Sequence, residues 1–262
     1  PLPLLSLIDQ YVYCDANARA TSAYLETWWL LGREACRERA EQILQYLWAV
    51  FRTPTGGMYH YGDGELHTPG LLMDTTMTGL AMLDAYALLR QPVYLERALQ
   101  LSTVLIQQHR SPAGGFFDIS ATGPASLQVP MTVFSQNAHV AAFFVRLADL
   151  SGNTDFRKFA YWALKSFPHA HRHHEAFAAG FGHALARLLT LPVLVTITGA
   201  PGDPGVRALA RNSLTRLRHG DVVLQFQRSR DPASATVQMG AQQLGPISNP
   251  EALRPELLVA LS

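Results

Sequence analysis

The nine residues TPTGGMYHY, from Thr53 to Tyr61, have a counterpart 58 residues further along the chain, SPAGGFFDI from Ser111 to Ile119. Each copy follows a long stretch in which apolar residues recur at three- and four-residue steps, the pattern of an amphipathic helix. The pairs Gly56–Gly57 and Gly114–Gly115 permit positive φ, so the chain can leave a helix there and turn sharply. We therefore expect the same corner in two successive helical hairpins.

The helices that lead into each corner repeat as well. A third copy follows at a slightly longer spacing and lacks the Gly-Gly corner. The related segments are CRERAEQILQYL (Cys36–Leu47) with YLERALQLSTVL (Tyr94–Leu105), SAYLETWWLL (Ser22–Leu31) with LAMLDAYALL (Leu80–Leu89), and, in the third copy, NAHVAAFFVRLADLSG (Asn137–Gly152) followed by TDFRKFAYWALKSF (Thr154–Phe167). The repeating unit is therefore a helical hairpin with its exit loop.

Repeats of this kind form either a solenoid or a closed ring, because one hairpin cannot bury its apolar face alone. The exit loops, Thr53–Met73 and Ser111–Phe134, are long, which favours a ring with its loops on one face. We predict a mainly α fold, a partial (α/α)6 toroid over residues 1–190. A full ring at this period needs roughly 350 residues. The open arc predicts a covering partner protein, an oligomer mate or a missing N-terminal region, an idea that the first residue, Pro1 rather than Met, also favours.

From Leu191 the pattern changes to that of a small α/β segment, which we assign to residues 191–262. The runs VLVTITG and VVLQFQ predict two strands, with a helix between them from about Asp203 to Arg218. The intervening loop GAPGDPG lacks the Lys-Ser/Thr ending of a P-loop and the GxGxxG spacing. We interpret its glycines as turn formers and predict no nucleotide cofactor.

The composition excludes several classes of protein. The chain has 262 residues, 48% of them hydrophobic and 16% charged, with a formal net charge of +1 and no run of like charges. It therefore lacks the basic surface that nucleic-acid binding requires. Its two cysteines, Cys14 and Cys36, are too few for a disulfide framework and indicate a reducing compartment. PLPLLSLI at the start is too short to span a bilayer, so we predict a cytoplasmic protein.

Candidate chemistry is concentrated in the first exit loop, YHYGDGELH, and at the start of the following helix. Aromatic rings beside carboxylates and imidazoles suit a sugar site, where they stack on the ring and transfer protons. The predicted catalytic residues are His60, Asp63, His67 and Asp74, and the predicted ligand-binding residues of the loop are Tyr59 and Tyr61. The alternative is that the tyrosines pack the corner and the polar residues are solvated.

Further polar residues lie at predicted helix starts. Asp15 and Asn17 open the first helix, Asp74 the third and Asn137 the fifth. Helix N-caps, each contributing about 1 kcal/mol, would suffice to explain them. At the same positions these side chains would also point towards the centre of the ring. The same holds for His139, two residues after Asn137. Asp15, Asn17, Asn137 and His139 are therefore included as candidate ligand-binding residues.

The most conspicuous polar cluster is FPHAHRHHEAF, Phe167–Phe177. His169 and His173 have the i, i+4 spacing of many metal-binding pairs, although Pro168 favours a loop that enters a helix. We interpret the His169–His174 stretch as a solvated helix start, and we predict no metal and no cofactor.

Several of these segments resemble a known family. YCDANARATSAYLETWWLLGRE (Tyr13–Glu34), GGMYHYGDGELHTPGLLMDTTMTGLAMLDAYALL (Gly56–Leu89), YLERALQL, GGFFD and the third repeat are similar to the C-terminal region of thioredoxin-domain-containing proteins of the spermatogenesis-associated protein 20 type. The resemblance implies an (α/α) toroid related to N-acylglucosamine 2-epimerase and six-hairpin glycosidases, normally preceded by a thioredoxin-like domain. A stretch that usually carries two cysteines has Gln238 and Gln242 or Gln243 here, so a redox role does not carry over.

Two functions follow from these observations. The chain is either a degenerate toroid retained as a binding or scaffold subunit, or a carbohydrate-active enzyme of the epimerase or glycosidase kind that takes a neutral sugar. The short ring, the replaced cysteines and the lack of a well-spaced acid/base pair favour the scaffold. No Arg or Lys lies between Tyr59 and Asp74, so a neutral sugar suits the site better than a phosphorylated one.

Overall fold

The computed structural model of the chain describes residues 10–121, 123–124, 129–169, 172, 178–200, 203–217 and 222–259. The chain divides into two compact units, Pro1–Ala184 and Leu185–Ser262. Among the described helices, none is long and apolar enough to cross a membrane.

Three helical hairpins build the first unit, as the repeat predicts. Their helices are α1 (Cys14–Leu31) with α2 (Glu34–Val50), α3 (Leu72–Leu89) with α4 (Pro92–Val104), and α5 (Phe134–Ser151) with α6 (Arg157–Leu164). α1, α3 and α5 pack side by side as an inner row, and each packs against the second helix of its own hairpin. A single π-helical turn, Leu105–His109, extends α4. A further described helix, α7 (Ala179–Leu189), comes after the third hairpin in the chain.

The middle helix of the inner row, α3, is the most deeply buried, because it has a neighbour on either side. Small and apolar residues let these helices approach closely. A Cβ atom added at Gly79 would lie 2.7 Å from Cε2 of Phe143 on α5. Phe143 and Phe144 are themselves fully buried and form the centre of the apolar contact with α3 and α6. Of the two cysteines, Cys14 is buried and Cys36 is half-buried, and both are free.

The two Gly-Gly corners have the same main-chain hydrogen bonds. The amide of Thr53 donates to the Gly57 carbonyl and that of Ser111 to the Gly115 carbonyl, each at 3.0 Å. Likewise, the amide of Tyr59 donates to the Phe51 carbonyl, and the amide of Phe117 donates to the His109 carbonyl. Positive φ occurs at Gly56, Gly114 and Gly115. The sequence repeat is therefore a repeat of the main-chain hydrogen bonds, although φ is positive at Gly115 and not at its counterpart Gly57.

The first exit loop differs from expectation, because it is not irregular throughout. It contains two short strands, β2 (Tyr59–Gly62) and β3 (Leu66–Pro69), which join β1 (Val12–Tyr13) in a small antiparallel sheet of order β1-β2-β3. The strands are only two to four residues long and rich in polar residues and glycine. Such segments carry little periodic signal, so the sequence pattern indicates only a loop.

The second unit is a four-stranded sheet of order β5-β4-β6-β7. Its strands are β4 (Val193–Gly199), β5 (Val222–Arg228), β6 (Ser234–Met239) and β7 (Gln242–Ile247), and its helices are α8 (Pro204–Asn212) and α9 (Glu256–Val259). β4 and β5 flank α8 in the chain, as predicted, and the structure shows that they are parallel. β6 and β7 form a hairpin that was not predicted. β4 alternates between buried and half-buried residues.

Candidate functional site

The first turns of α1 and α3 and the small sheet bring three predicted site residues together. Asp15 lies in the first turn of α1, Asp74 in the first turn of α3, and His60 on β2. Nδ1 of His60 is 3.0 Å from Oδ2 and 3.1 Å from Oδ1 of Asp74. The backbone amide of Asp15 donates to Oδ1 of Asp74 at 3.2 Å. Residues 59 positions apart in sequence thus meet at one carboxylate.

Burial distinguishes the two members of the pair. The Asp74 side chain is 1% exposed, whereas that of His60 is 31% exposed. Burial raises the pKa of Asp74, although the His60 hydrogen bond opposes this shift. The hydrogen bond to Asp74 raises the pKa of His60 against the effect of its partial burial. Because Nδ1 is committed to Asp74, Nε2 is the nitrogen of His60 that can exchange a proton with a ligand.

The same three residues have the geometry of a cation site. One ligand atom from each of Asp15, His60 and Asp74 can be chosen so that all lie within 4.8 Å of one another. Two carboxylates and an imidazole suit a divalent transition metal. The positive ends of two helices at the same point disfavour a cation. That no metal binds stays a prediction.

The interpretation of the helix-start residues as N-caps is wrong. The N-cap positions of α1, α3 and α5 are Tyr13, Leu71 and Val133, and none makes a side-chain capping bond. Asp15 and Asp74 lie inside the first turn, where a carboxylate interacts favourably with the helix dipole. The helices begin earlier than expected because the chain is extended up to those apolar residues.

The other two predicted catalytic residues, Asp63 and His67, form a pair of their own. Oδ1 of Asp63 is 2.9 Å from Nε2 of His67, and this contact lowers the pKa of the exposed Asp63. His67 stacks on Tyr61, its partner across β2 and β3, with 4.8 Å between ring centroids. Successive strand residues point to opposite faces, so Tyr61 and His67 lie on one face of the small sheet and His60 on the other. The His60 and Tyr61 rings still meet edge to face, with centroids 6.0 Å apart.

The remaining candidates have separate places in the fold. Tyr59 begins β2 and is half-buried. Asn17 donates to the Tyr13 carbonyl at 2.7 Å. Asn137 is fully buried and bonds to both the amide and the carbonyl of Phe116, which ties α5 to the second corner. His139 donates through Nδ1 to the Ser135 carbonyl within α5. These contacts account for Asn17, Asn137 and His139 within their own helices and corners.

Two tyrosines of the region were missed from the sequence. The Tyr13 ring contacts His60, with centroids 5.5 Å apart, and Tyr11 contacts Tyr61 at 5.3 Å. Both belong to or adjoin β1, a two-residue strand that sequence periodicity cannot reveal. Of the histidine-rich stretch, His169 is described and exposed, whereas His171, His173 and His174 lie outside the described residues.

No protein-family model and no curated protein sequence matches the chain. Among solved structures, a family 76 glycoside hydrolase from Bacteroides thetaiotaomicron is 14% identical with a TM-score of 0.53, over 60% of this chain and 35% of the hydrolase. Cellobiose 2-epimerase from Bacillus thermoamylovorans is 11% identical with a TM-score of 0.57, over 80% of this chain and 63% of the epimerase. The GH76 α-mannanase BT2949 from Bacteroides thetaiotaomicron is 10% identical with a TM-score of 0.57, over 97% of this chain and 73% of the mannanase.

The chain thus spans less than two thirds of the length of the first hydrolase and of the epimerase. The thioredoxin-domain family that the sequence resembles is not among these findings and stays a prediction. At 10–14% identity, the likeness concerns the fold alone. The fold is that of the (α/α)6 six-hairpin toroids, the class predicted from the repeated corner.

Proposed function

We propose that the chain is the sugar-binding module of a carbohydrate-active protein, in which His60 exchanges a proton with a bound neutral sugar. The observation that carries the proposal is the hydrogen bond between partly exposed His60 and fully buried Asp74 at the helix N-termini. Neighbouring folds are sugar epimerases, an isomerase and glycoside hydrolases, which supports the ligand class by analogy only.

The pair suits proton transfer. Asp74 holds the imidazole with its proton on Nδ1 and raises its basicity, so that Nε2 can act as a general base. At an open-chain sugar, Nε2 would take the proton from the carbon next to the carbonyl, and the C–H electron pair would form the enediolate. Return of the proton by the imidazolium to the same carbon would regenerate the substrate. Its delivery to the neighbouring carbon would give the isomer, once the hydroxyl proton of the enediolate has passed from one enediol oxygen to the other.

A direct test is deuterium exchange. Neutral aldoses and ketoses incubated with the protein in D2O should gain deuterium beside the carbonyl carbon, as detected by NMR. His60→Gln should abolish the exchange, whereas His67→Gln, a matched change in the exposed pair, should leave it unchanged. Saturation-transfer NMR with the same sugars measures binding separately. No exchange and no saturation transfer with any sugar would exclude the proposal, as would unchanged sugar binding by a double variant, His60→Ala with Asp74→Ala.

A second candidate, a binding or scaffold subunit, rests on a different observation. Large apolar side chains of the first hairpin are exposed, among them Tyr24, Leu30 and Leu31. Exposed apolar groups on helices of an open arc favour a covering chain, either another protein, a further part of the same protein or a second copy. This candidate is compatible with the first, because a covered hairpin would leave the His60–Asp74 pair in place.

A further inference from the structure

A groove lies beside the turn of the small sheet, in the first unit. Its volume is about 880 Å³, within the size range of small-molecule sites, roughly 300–1,000 Å³. Its lining residues come from β1 and the residues before it, the end of α2 and the β2–β3 turn: Gln10, Tyr11, Val12, Tyr46, Val50, Gly62, Asp63, Gly64, Glu65 and Leu66. His60 and Asp74 are not among them, so the groove is separate from the pair discussed above.

The residues that line the groove favour one kind of ligand. Tyr11 and Tyr46 are 49% and 47% exposed, while Tyr11 also packs on Tyr61 and Tyr46 on Phe51. Asp63 and Glu65 supply two carboxylates, and no lysine or arginine is found among the described residues of the lining. Aromatic faces attract cations, and unopposed carboxylates pair with them. The groove is therefore complementary to a ligand that combines positive charge with an apolar face.

The two carboxylates are not equivalent. Asp63 already bonds to His67 through Oδ1. Within the described part of the chain, no side chain forms an ion pair with Glu65, which is exposed in the same turn. Glu65 is therefore the carboxylate that a cationic ligand would engage, while Gln10 offers an amide to hydroxyl groups.

We propose that this groove binds amine-bearing sugars, with the sugar rings against Tyr11 and Tyr46 and an ammonium group at Glu65. The groove has room for more than one ring, so the ligand class is a short oligomer of an amino sugar. The inference does not depend on the reaction proposed for His60.

The probes are the glucosamine trimer and its fully N-acetylated counterpart, which share a backbone and differ in charge. Calorimetry at mildly acidic pH, where the amines are protonated, should show binding of the amine trimer and at least fivefold weaker binding of the acetylated trimer. Glu65→Gln should weaken binding of the amine trimer about fivefold, as for loss of a solvent-exposed ion pair. Glu38→Gln, an exposed glutamate on α2 outside the groove, should have no effect.

Tyr46→Phe should retain binding and Tyr46→Leu should lose it, because only the first keeps an aromatic face. Equal affinity for the two trimers, or unchanged affinity in Glu65→Gln, would overturn the proposal. Absence of binding by either trimer would also overturn it. His60→Gln should leave trimer binding in the groove intact, so a failure of the proposed proton transfer remains distinguishable from a failure of this site.

Discussion

At the scale of single residues, the His60–Asp74 pair depends on an asymmetry of burial. Asp74 is inaccessible and His60 is reachable, so the carboxylate acts on solutes only through the imidazole. Because the pKa of His60 in the folded state is above its ordinary 6.5, the stabilisation from the pair is complete below that pH. It is lost as the pH rises through the folded-state pKa.

Asp74→Asn should therefore lower the pKa of His60, because an amide cannot balance the imidazolium charge. The measurement is an NMR titration of the His60 ring proton in the wild type and in the variant. Asp63→Asn is the control, since Asp63 bonds to His67 instead. An unchanged His60 titration in Asp74→Asn would refute the assignment of Asp74 as the cause of the shift.

The pKa of His109 is shifted in the opposite direction to that of His60, and no feature of the sequence indicates this shift. His109 is buried in the π-helical turn, and burial lowers its pKa to about 4, while its Nδ1 donates to the Phe117 carbonyl at 3.0 Å. The unfolded chain takes up a proton near pH 6.5 and the folded chain near pH 4, so stability falls as the pH drops between these values. The difference of pKa corresponds to about 3 kcal/mol.

His109→Gln keeps an N–H donor for Phe117 and removes the titration, so its free energy of unfolding should fall less between pH 6.5 and 4 than that of the wild type. Urea denaturation at a series of pH values measures this. His183→Gln, at an exposed histidine, should follow the wild type. Parallel curves for wild type and His109→Gln would contradict the prediction.

At the scale of elements, the corners show how equivalent positions diverge. Asn137 spans the second corner with bonds to the amide and carbonyl of Phe116. The first-corner counterparts of these residues are Thr75 and Met58. Thr75 is fully buried, and its hydroxyl has no hydrogen-bond partner. A threonine side chain is shorter than that of asparagine, so the second corner is held by side-chain bonds that the first lacks.

Asn137→Thr should lower the free energy of unfolding by about 1–3 kcal/mol, because it leaves the Phe116 amide and carbonyl without their buried partner. Thr75→Val, the matched change at the first corner, should be neutral or stabilising, since it replaces an unpartnered hydroxyl by a methyl group. Chemical denaturation of both variants tests this. A similar loss in the two variants would show that Asn137 contributes through packing alone.

The sequence predicts the hairpins well and the site only in part, because a segment leaves a recognisable pattern only when it is long enough for the pattern to repeat. Helical packing leaves a periodic apolar pattern over many residues, as in Cys36–Leu47, and the corner leaves its glycines. The strands β1 to β3 are too short to leave a pattern, yet they decide that His60 faces Asp74 while His67 faces Tyr61. The hairpin arrangement predicts that the exit loop and the helix starts share one side. It does not predict the contact of Asp15 and His60 with Asp74, or the separate pairing of His67 with Asp63.

At the scale of the whole molecule, the helices of the first hairpin expose more large apolar side chains than the described helices of the second and third hairpins do. Leu31 is 67% exposed, and Tyr24 on the same helix is also exposed. We predict that the protein associates through this hairpin, because contiguous apolar surface is removed from water when it is covered.

Sedimentation velocity should show an oligomer whose population rises with protein concentration. Alternatively, native mass spectrometry of material from the source should show a bound partner. Tyr24→Glu together with Leu31→Arg should weaken that association at least tenfold. Val93→Glu, at an exposed apolar residue of α4, is the control and should not. A monodisperse, stable wild-type monomer without a partner would count against the prediction.

The hydrogen bonds that the two corners share join main-chain atoms, and the two corners are equal in length. A segment closed by its own main-chain bonds is modular, because it can be copied along with its hairpin. Growth of such an arc by tandem duplication therefore needs only the glycines to be preserved, and the side chains of each copy are free to specialise. The divergence between Asn137 and Thr75 is what that freedom allows.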